Sequence, residues 1–198
     1  MKERLSNTWG FTLMELVVSM GVMGILGAVL LSQLIHHMDV HDRQKARTDT
    51  QQKVRAVLGW MEDEFRMAGF NAVVSPLPGS GVIRASSDYF AFFYRQGSGD
   101  DWKRLDYYFH PVDQGLRRKE RNDLGEDGAV ARLLEDVRLQ FTYLDRHNHV
   151  IRNPHPEDYG RIRAVRIELG ALYKDRKGRE GRVDFMTTVQ CRNLGVGF

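Results

Sequence analysis

The 198-residue sequence has a single cysteine, Cys191, and five prolines, the first of them Pro76. One thiol cannot close an intramolecular disulfide, so a disulfide-stapled mini-domain is excluded and any core must stand on burial alone. No glycine-rich phosphate loop occurs, no serine sits in a nucleophile-elbow pattern, and Cys191 lacks a protease signature around it. The sequence therefore indicates no enzyme and implies no cofactor. The net charge is only +3, from 29 Lys and Arg against 26 Asp and Glu, too small an excess to mark a nucleic-acid binder. Apolar residues at 42 % and charged residues at 28 % are ordinary globular values, and the length suits one domain with an appendage, or two small domains.

The most telling absence is local. From Leu16 to Met38 there is no Asp, Glu, Lys or Arg, whereas Asp39 to Lys53 carries seven. As a helix, Phe11 to Ile35 would extend about 37 Å, enough to cross a hydrocarbon layer of about 30 Å. A buried core helix or a cleaved signal peptide would also be apolar. A signal core, however, runs only about 7–15 residues before a small-x-small cleavage site, and no such site follows Leu31. The segment is expected to stay in the mature protein.

Glu15 interrupts the pattern. It lies among Leu13, Met14, Leu16, Val17 and Val18, where burying an ionised carboxylate in lipid costs about 2.5–3.5 kcal/mol. No Lys or Arg lies within helical reach, so its cationic partner must come from elsewhere.

Beyond Met38 the apolar stripe lapses, then returns at Val54, Val57, Leu58, Met61, Phe65 and Ala68 with helical spacing. Acid-first pairs Asp39 with Arg43, Asp49 with Lys53 and Glu62 with Arg66 support an exposed helix. No proline interrupts Phe11 to Ala68, and Gly69 is a natural stop, which predicts one helix approaching 90 Å. A coiled coil would fit that length, but no heptad is sustained. Gly21, Gly24 and Gly27 either loosen the helix or let another approach closely.

The rest reads as strands. Asn71 to Gly81 is a connecting loop. Tyr89–Arg95, Trp102–His110, Gly115–Arg121, Val137–Leu144, Arg163–Tyr173 and Arg182–Cys191 follow, several alternating apolar and polar as half-buried antiparallel strands do. Gly128 to Asp136 forms a short helix or leads into a strand. The expected fold class is α+β: one long N-terminal helix, its second half packed on an antiparallel sheet.

The string GFTLMELVVSMGVMGIL, preceded by the polar leader MKERLSNTW, resembles the cleavage and methylation motif of type IV prepilins and type II secretion pseudopilins. The resemblance implies a pilin-like fold and cleavage after Gly10 by a prepilin peptidase, which also N-methylates the new terminus at Phe11. It makes Glu15 the subunit-docking acid and Leu16, Val17, Met20, Gly24 and Leu31 the packing surface of a filament core. The physical logic agrees, because a methylated ammonium keeps its charge and Phe11 of an incoming subunit supplies the cation that Glu15 lacks. The implied organisation is a leader at 1–10, a transmembrane and filament-core helix at 11–38, an amphipathic continuation at 39–70 and a periplasmic head at 71–198. Lys2 and Arg4 hold the leader on the cytoplasmic side of the inner membrane. Leu31-Ser32-Gln33 lacks the proline that many major pilins carry near the membrane exit.

The segments MEDEFRMAGF, LLEDVRLQFTYLD and FMTTVQCRN are similar to PilW-type minor pilins and, more loosely, to GspJ-type pseudopilins. The expected partners are other minor pilins, the major pilin, the peptidase and the inner-membrane assembly platform. The expected function is that of a minor pilin in type IV pilus assembly or priming. A type II secretion pseudopilin is the nearer alternative. A single-pass membrane protein whose periplasmic head binds ligand without polymerising is the alternative of another class.

Other candidate sites read as bland surface. His147 and His149, with Asp145 and His155, offer metal-ligand chemistry or a polar hairpin tip, and the latter fits better because no Cys pair supports a metal. Asp123, Glu126 and Asp127 around Gly125 lack the alternating oxygen ligands of a calcium loop. The basic runs Arg117-Arg118-Lys119 with Arg121, and Lys174 to Arg182, carry interleaved acids such as Glu120 and Asp175, so a solvated strand or subunit contact fits better than nucleic acid.

Overall fold

A computed structural model describes residues 12–70, 80–95, 102–122 and 127–194. The chain divides into two compact units, 1–44 and 45–198. Helix α1, Leu13–Arg66, begins in the first and ends in the second.

In the first unit α1 carries the uncharged run and is apolar all round. Large side chains from Leu13 to Met38 are more than half exposed, and an 18-residue window with a mean hydropathy of 2.1 makes this part long and apolar enough to cross a membrane. The helix start is set locally: the Glu15 N–H donates to Thr12 Oγ1 at 3.3 Å and the Leu16 N–H to the Thr12 carbonyl at 3.2 Å, an N-cap by threonine.

In the second unit the later turns of α1 bury Val54, Leu58, Met61 and Phe65, the stripe read from spacing. After Arg66 the turn tightens, with Met67 N–H bonded to the Glu64 carbonyl at 3.0 Å and Ala68 N–H to that of Phe65 at 3.1 Å. Gly69 ends it at φ +75°, where a Cβ would meet Leu194 Cδ2 at 2.8 Å and the Asn193 carbonyl oxygen at 2.9 Å. Conformation and crowding both require glycine there.

Among the described residues, nine strands fall into two antiparallel sheets. The first is a meander of β1 (Val82–Ser86), β2 (Tyr89–Tyr94), β3 (Lys103–His110), β4 (Gly115–Asn122) and β5 (Asp127–Leu134), paired in that order. The second contains β6 (Val137–Leu144), β7 (Val150–Ile151), β8 (Ala164–Lys174) and β9 (Glu180–Gln190), ordered β7-β6-β8-β9. A 3-10 helix, Pro156–Arg161, precedes β8. The α+β class expected from the sequence is therefore observed, with the second part of α1 on antiparallel sheet. The single expected sheet is two, because alternation identifies a strand's apolar face without naming its pairing neighbour. The 128–136 segment resolves into strand β5 and a reversal at Asp136, φ 50°. β1, β7 and the 3-10 helix lack a sequence signal of useful length.

Phe65 joins the layers. Its ring lies 4.9 Å from Phe90, 5.7 Å from Phe92 and 5.2 Å from Tyr107 in the first sheet, and 5.9 Å from Phe141 in the second. These are edge-on and tilted geometries that aromatic quadrupoles favour. The Tyr143 hydroxyl of β6 donates to the Ser86 and Tyr89 carbonyls at 2.8 and 3.0 Å, tying the second sheet to the β1–β2 turn. Cys191 is fully buried, and burial pushes its thiol up to about 12, so it behaves as an inert core residue.

Candidate functional site

The first unit holds the described part of the N-terminal motif. Gly10 and Phe11, the expected cleavage and methylation positions, lie outside the described residues. Glu15 stands in the first turn of α1, where a carboxylate also complements the positive end of the helix dipole. Capping by Thr12 fixes the Glu15 backbone and leaves its side chain exposed. Ser19 Oγ donates to the Leu16 carbonyl one turn on, at 2.9 Å, so its hydroxyl is satisfied within the helix.

Of the expected packing residues, Leu16, Val17, Met20 and Leu31 are 53–68 % exposed, and a Cβ built on Gly24 would meet nothing within 4 Å. The same is true of Gly21 and Gly27. This is a fully presented apolar cylinder with one acid near its start, and what it can do chemically is enter lipid or pack against other apolar helices.

The second unit holds a polar cluster that spacing alone did not single out. Glu64 of α1 is buried among the stripe residues, and Arg118 of β4 grips it through Nε at 3.1 and 3.0 Å and Nη2 at 2.8 Å. The Tyr107 hydroxyl of β3 donates to the same carboxylate. Arg118 Nη2 reaches Glu120 at 2.9 Å, and Glu120 takes Lys103 Nζ at 3.0 Å. The guanidinium also lies 5.4 Å from the Trp60 ring. Burial and the Glu64 charge push the Tyr107 phenol far up. Burial would raise Glu120, but its bonds from Lys103 and Arg118 outweigh it and hold the carboxyl below the usual range. Every partner is a hydrogen-bonded charge or phenol held between a helix and a sheet. The cluster is a clamp, with no nucleophile or open coordination position.

A signal for Glu64 was present in the sequence. It falls three residues after Met61 and one before Phe65, in phase with the apolar stripe, so an acid at that position needs a partner on whatever packs there.

The basic run of β4 is divided by strand alternation. Arg118 and Glu120 pair with Tyr107 and Leu105 of β3 and turn toward α1, while Arg117, Lys119 and Arg121 pair with Tyr108, Asp106 and Arg104 on the opposite face. On that face Asp106, fully buried, takes Arg104 Nε at 2.8 Å. Asp113 takes His110 Nδ1 at 2.8 Å, Arg132 Nε at 3.1 Å, and Arg117. In the later run Lys174 pairs with Glu180 at 2.9 Å, Arg179 with Asp175 at 2.6 Å and Arg182 with Asp184 at 2.7 Å. In both runs the interleaved acids are thus ion-pair partners of the basic side chains.

His147 and His149 sit at the β6–β7 tip. The Asp145 side chain accepts both their backbone N–H groups, at 2.8 and 2.9 Å, and Asn148 turns the chain at φ 62°. The β8–β9 tip repeats this arrangement, with Asp175 accepting from Lys177 and Arg179, both at 2.9 Å, and Gly178 at φ 75°. The carboxylates at 145 and 175 are therefore turn formers: bonds from the turn's N–H groups hold Asp145 below its usual range, and at Asp175 burial pushes upward but the turn's N–H groups and the Arg179 guanidinium outweigh it. Asp123 and Glu126 lie outside the described residues. Among the described residues no three His, Cys, Asp or Glu side chains are grouped to hold a metal.

Searches against protein-family models, curated proteins and solved structures find no match.

Proposed function

We propose that the chain is a pilin-like subunit, a minor pilin that is inserted in the inner membrane, processed after Gly10 and added to a type IV pilus or its priming complex. The observation that carries this reading is the bare apolar stretch of α1, with Glu15 exposed in its first turn and no cation within helical reach. A carboxylate kept at that depth needs a partner, and a methylated Phe11 ammonium on an adjacent subunit is a cation of suitable charge and place. Leu16, Val17, Met20, Gly24 and Leu31 then pack against neighbouring helices in the fibre. The described part of the β-rich head presents an ion-paired surface to other subunits.

Intact-mass analysis of the membrane-purified protein tests the processing. The expected species begins at Phe11 and carries one added methyl group, and a chain that keeps Met1 would overturn the reading. Glu15→Ala is expected to leave synthesis and membrane insertion intact while abolishing incorporation into surface filaments. Normal filament incorporation of that variant would remove the docking role.

A further inference from the structure

Three histidines, His36, His37 and His41, fall where the uncharged run of α1 gives way to charged residues, and all three are exposed. His37 and His41 are four residues apart on an unbroken helix, which places them on one face with Cβ atoms about 5–6 Å apart. With Gln44, three residues beyond His41, they line one shallow surface depression that Met38, Val40 and Asp42 also border. His36 is offset around the helix, its ring edge-on to that of His37 with centroids 6.4 Å apart.

We propose that His37 and His41 form a chelating site for a divalent transition-metal ion of the Zn2+ or Ni2+ class, with the Gln44 amide oxygen at its edge. Imidazole nitrogens bind such ions at about 2.0–2.1 Å, so two of them on one tetrahedral ion lie about 3.3 Å apart, within reach of rings projecting from adjacent turns. The helix supplies the spacing, so binding orders only side-chain torsions. Imidazole is a ligand of choice for these metals, and a neutral amide oxygen is a weaker neighbour. Asp42 also borders the depression, but among the described residues no three His, Cys, Asp or Glu side chains are arranged to hold a metal, so the two imidazoles are the protein ligands and water fills the remaining positions. Of the other described histidines, His110 Nδ1 bonds Asp113 at 2.8 Å, His147 Nε2 accepts from Arg146 Nε at 3.0 Å and His149 Nδ1 lies 3.5 Å from Asp145. The site does not rest on the filament reading.

The test is calorimetric titration of Zn2+ into the full chain in detergent micelles near neutral pH. One ion per chain is expected, and His37→Ala or His41→Ala should each weaken binding by about tenfold or more. His36→Ala and the double variant His147→Ala/His149→Ala should bind as the parent does. Gln44→His, which adds a third imidazole to the same face, should tighten binding by about tenfold or more. Unchanged affinity in His37→Ala and His41→Ala, an absence of Zn2+ binding, or no gain from Gln44→His would each overturn the site. His36, His37, His41 and Gln44 are exposed on the helix, and His147 and His149 on the β6–β7 tip, so far-ultraviolet circular dichroism should report an unaltered fold throughout.

Discussion

Arg118 and Glu64, 54 residues apart in sequence, meet as a fork-to-carboxylate pair in which both Nε and Nη2 donate at 2.8–3.1 Å. The pair joins the last turns of α1 to β4 of the first sheet, with Glu64 buried and Arg118 largely so, at 9 % and 14 % side-chain exposure. Removing one member strands the other. Arg118→Ala is expected to cost about 3–5 kcal/mol, since Glu64 would stay buried with only Tyr107 for a partner. Replacing both by apolar residues of similar size, Glu64→Leu with Arg118→Met, should recover most of that loss. Denaturant unfolding followed by tryptophan fluorescence will separate the two outcomes, and equal destabilisation by the single and double changes would show that the pair is not a clamp.

The Phe65 ring of α1 touches aromatic side chains of both sheets. Phe65→Ala should lower stability by about 3–5 kcal/mol, because the cavity opens between two layers that cannot both collapse into it. Phe65→Leu should cost markedly less. Thermal or urea melts of the two variants will rank them, and a loss below about 1 kcal/mol for alanine would be inconsistent with a close-packed site.

Gly69→Ala is expected to destabilise by more than the roughly 1 kcal/mol cost of a left-handed alanine, since its Cβ would also press on the chain at Asn193 and Leu194. Gly178, also at positive φ but with open space around it, should tolerate alanine at about that smaller cost. Comparing the two midpoints isolates the steric part.

Acid should loosen the β3–β4 hairpin. Burial would raise the Asp113 carboxyl, but bonds from His110 and Arg117 outweigh it and bring it down to about 2. That lies below the unfolded value of about 3.9, so the stability this group contributes is complete above about pH 4 and disappears as the pH falls toward about 2. Asp113→Asn should flatten the dependence of unfolding free energy on pH across that window. A slope identical to the parent's would assign the acid sensitivity to other carboxylates.

Thr12→Ala separates helix capping from subunit docking at the start of α1. Loss of the cap should cost about 1 kcal/mol of local helix stability. Filament incorporation should persist, since the Glu15 carboxylate is untouched. Loss of incorporation equal to that of Glu15→Ala would mean that the first turn, rather than the acid, is what assembly requires.

Much of the architecture is legible in the residues themselves. The uncharged run from Leu16 to Met38, the stripe from Val54 to Phe65, the stop at Gly69 and the alternation of Val137 to Leu144 each report local polarity about one axis, and a helix or strand must obey that polarity wherever it packs. Strand partners are another matter. The split into two sheets, the partners that Glu64 and Asp106 find, and the choice of which face of β4 turns toward α1 were decided by tertiary structure. Each depends on which distant residue lies opposite, and the free energy of a buried charge is set by that neighbour and by excluded water, neither of which is a property of the local sequence.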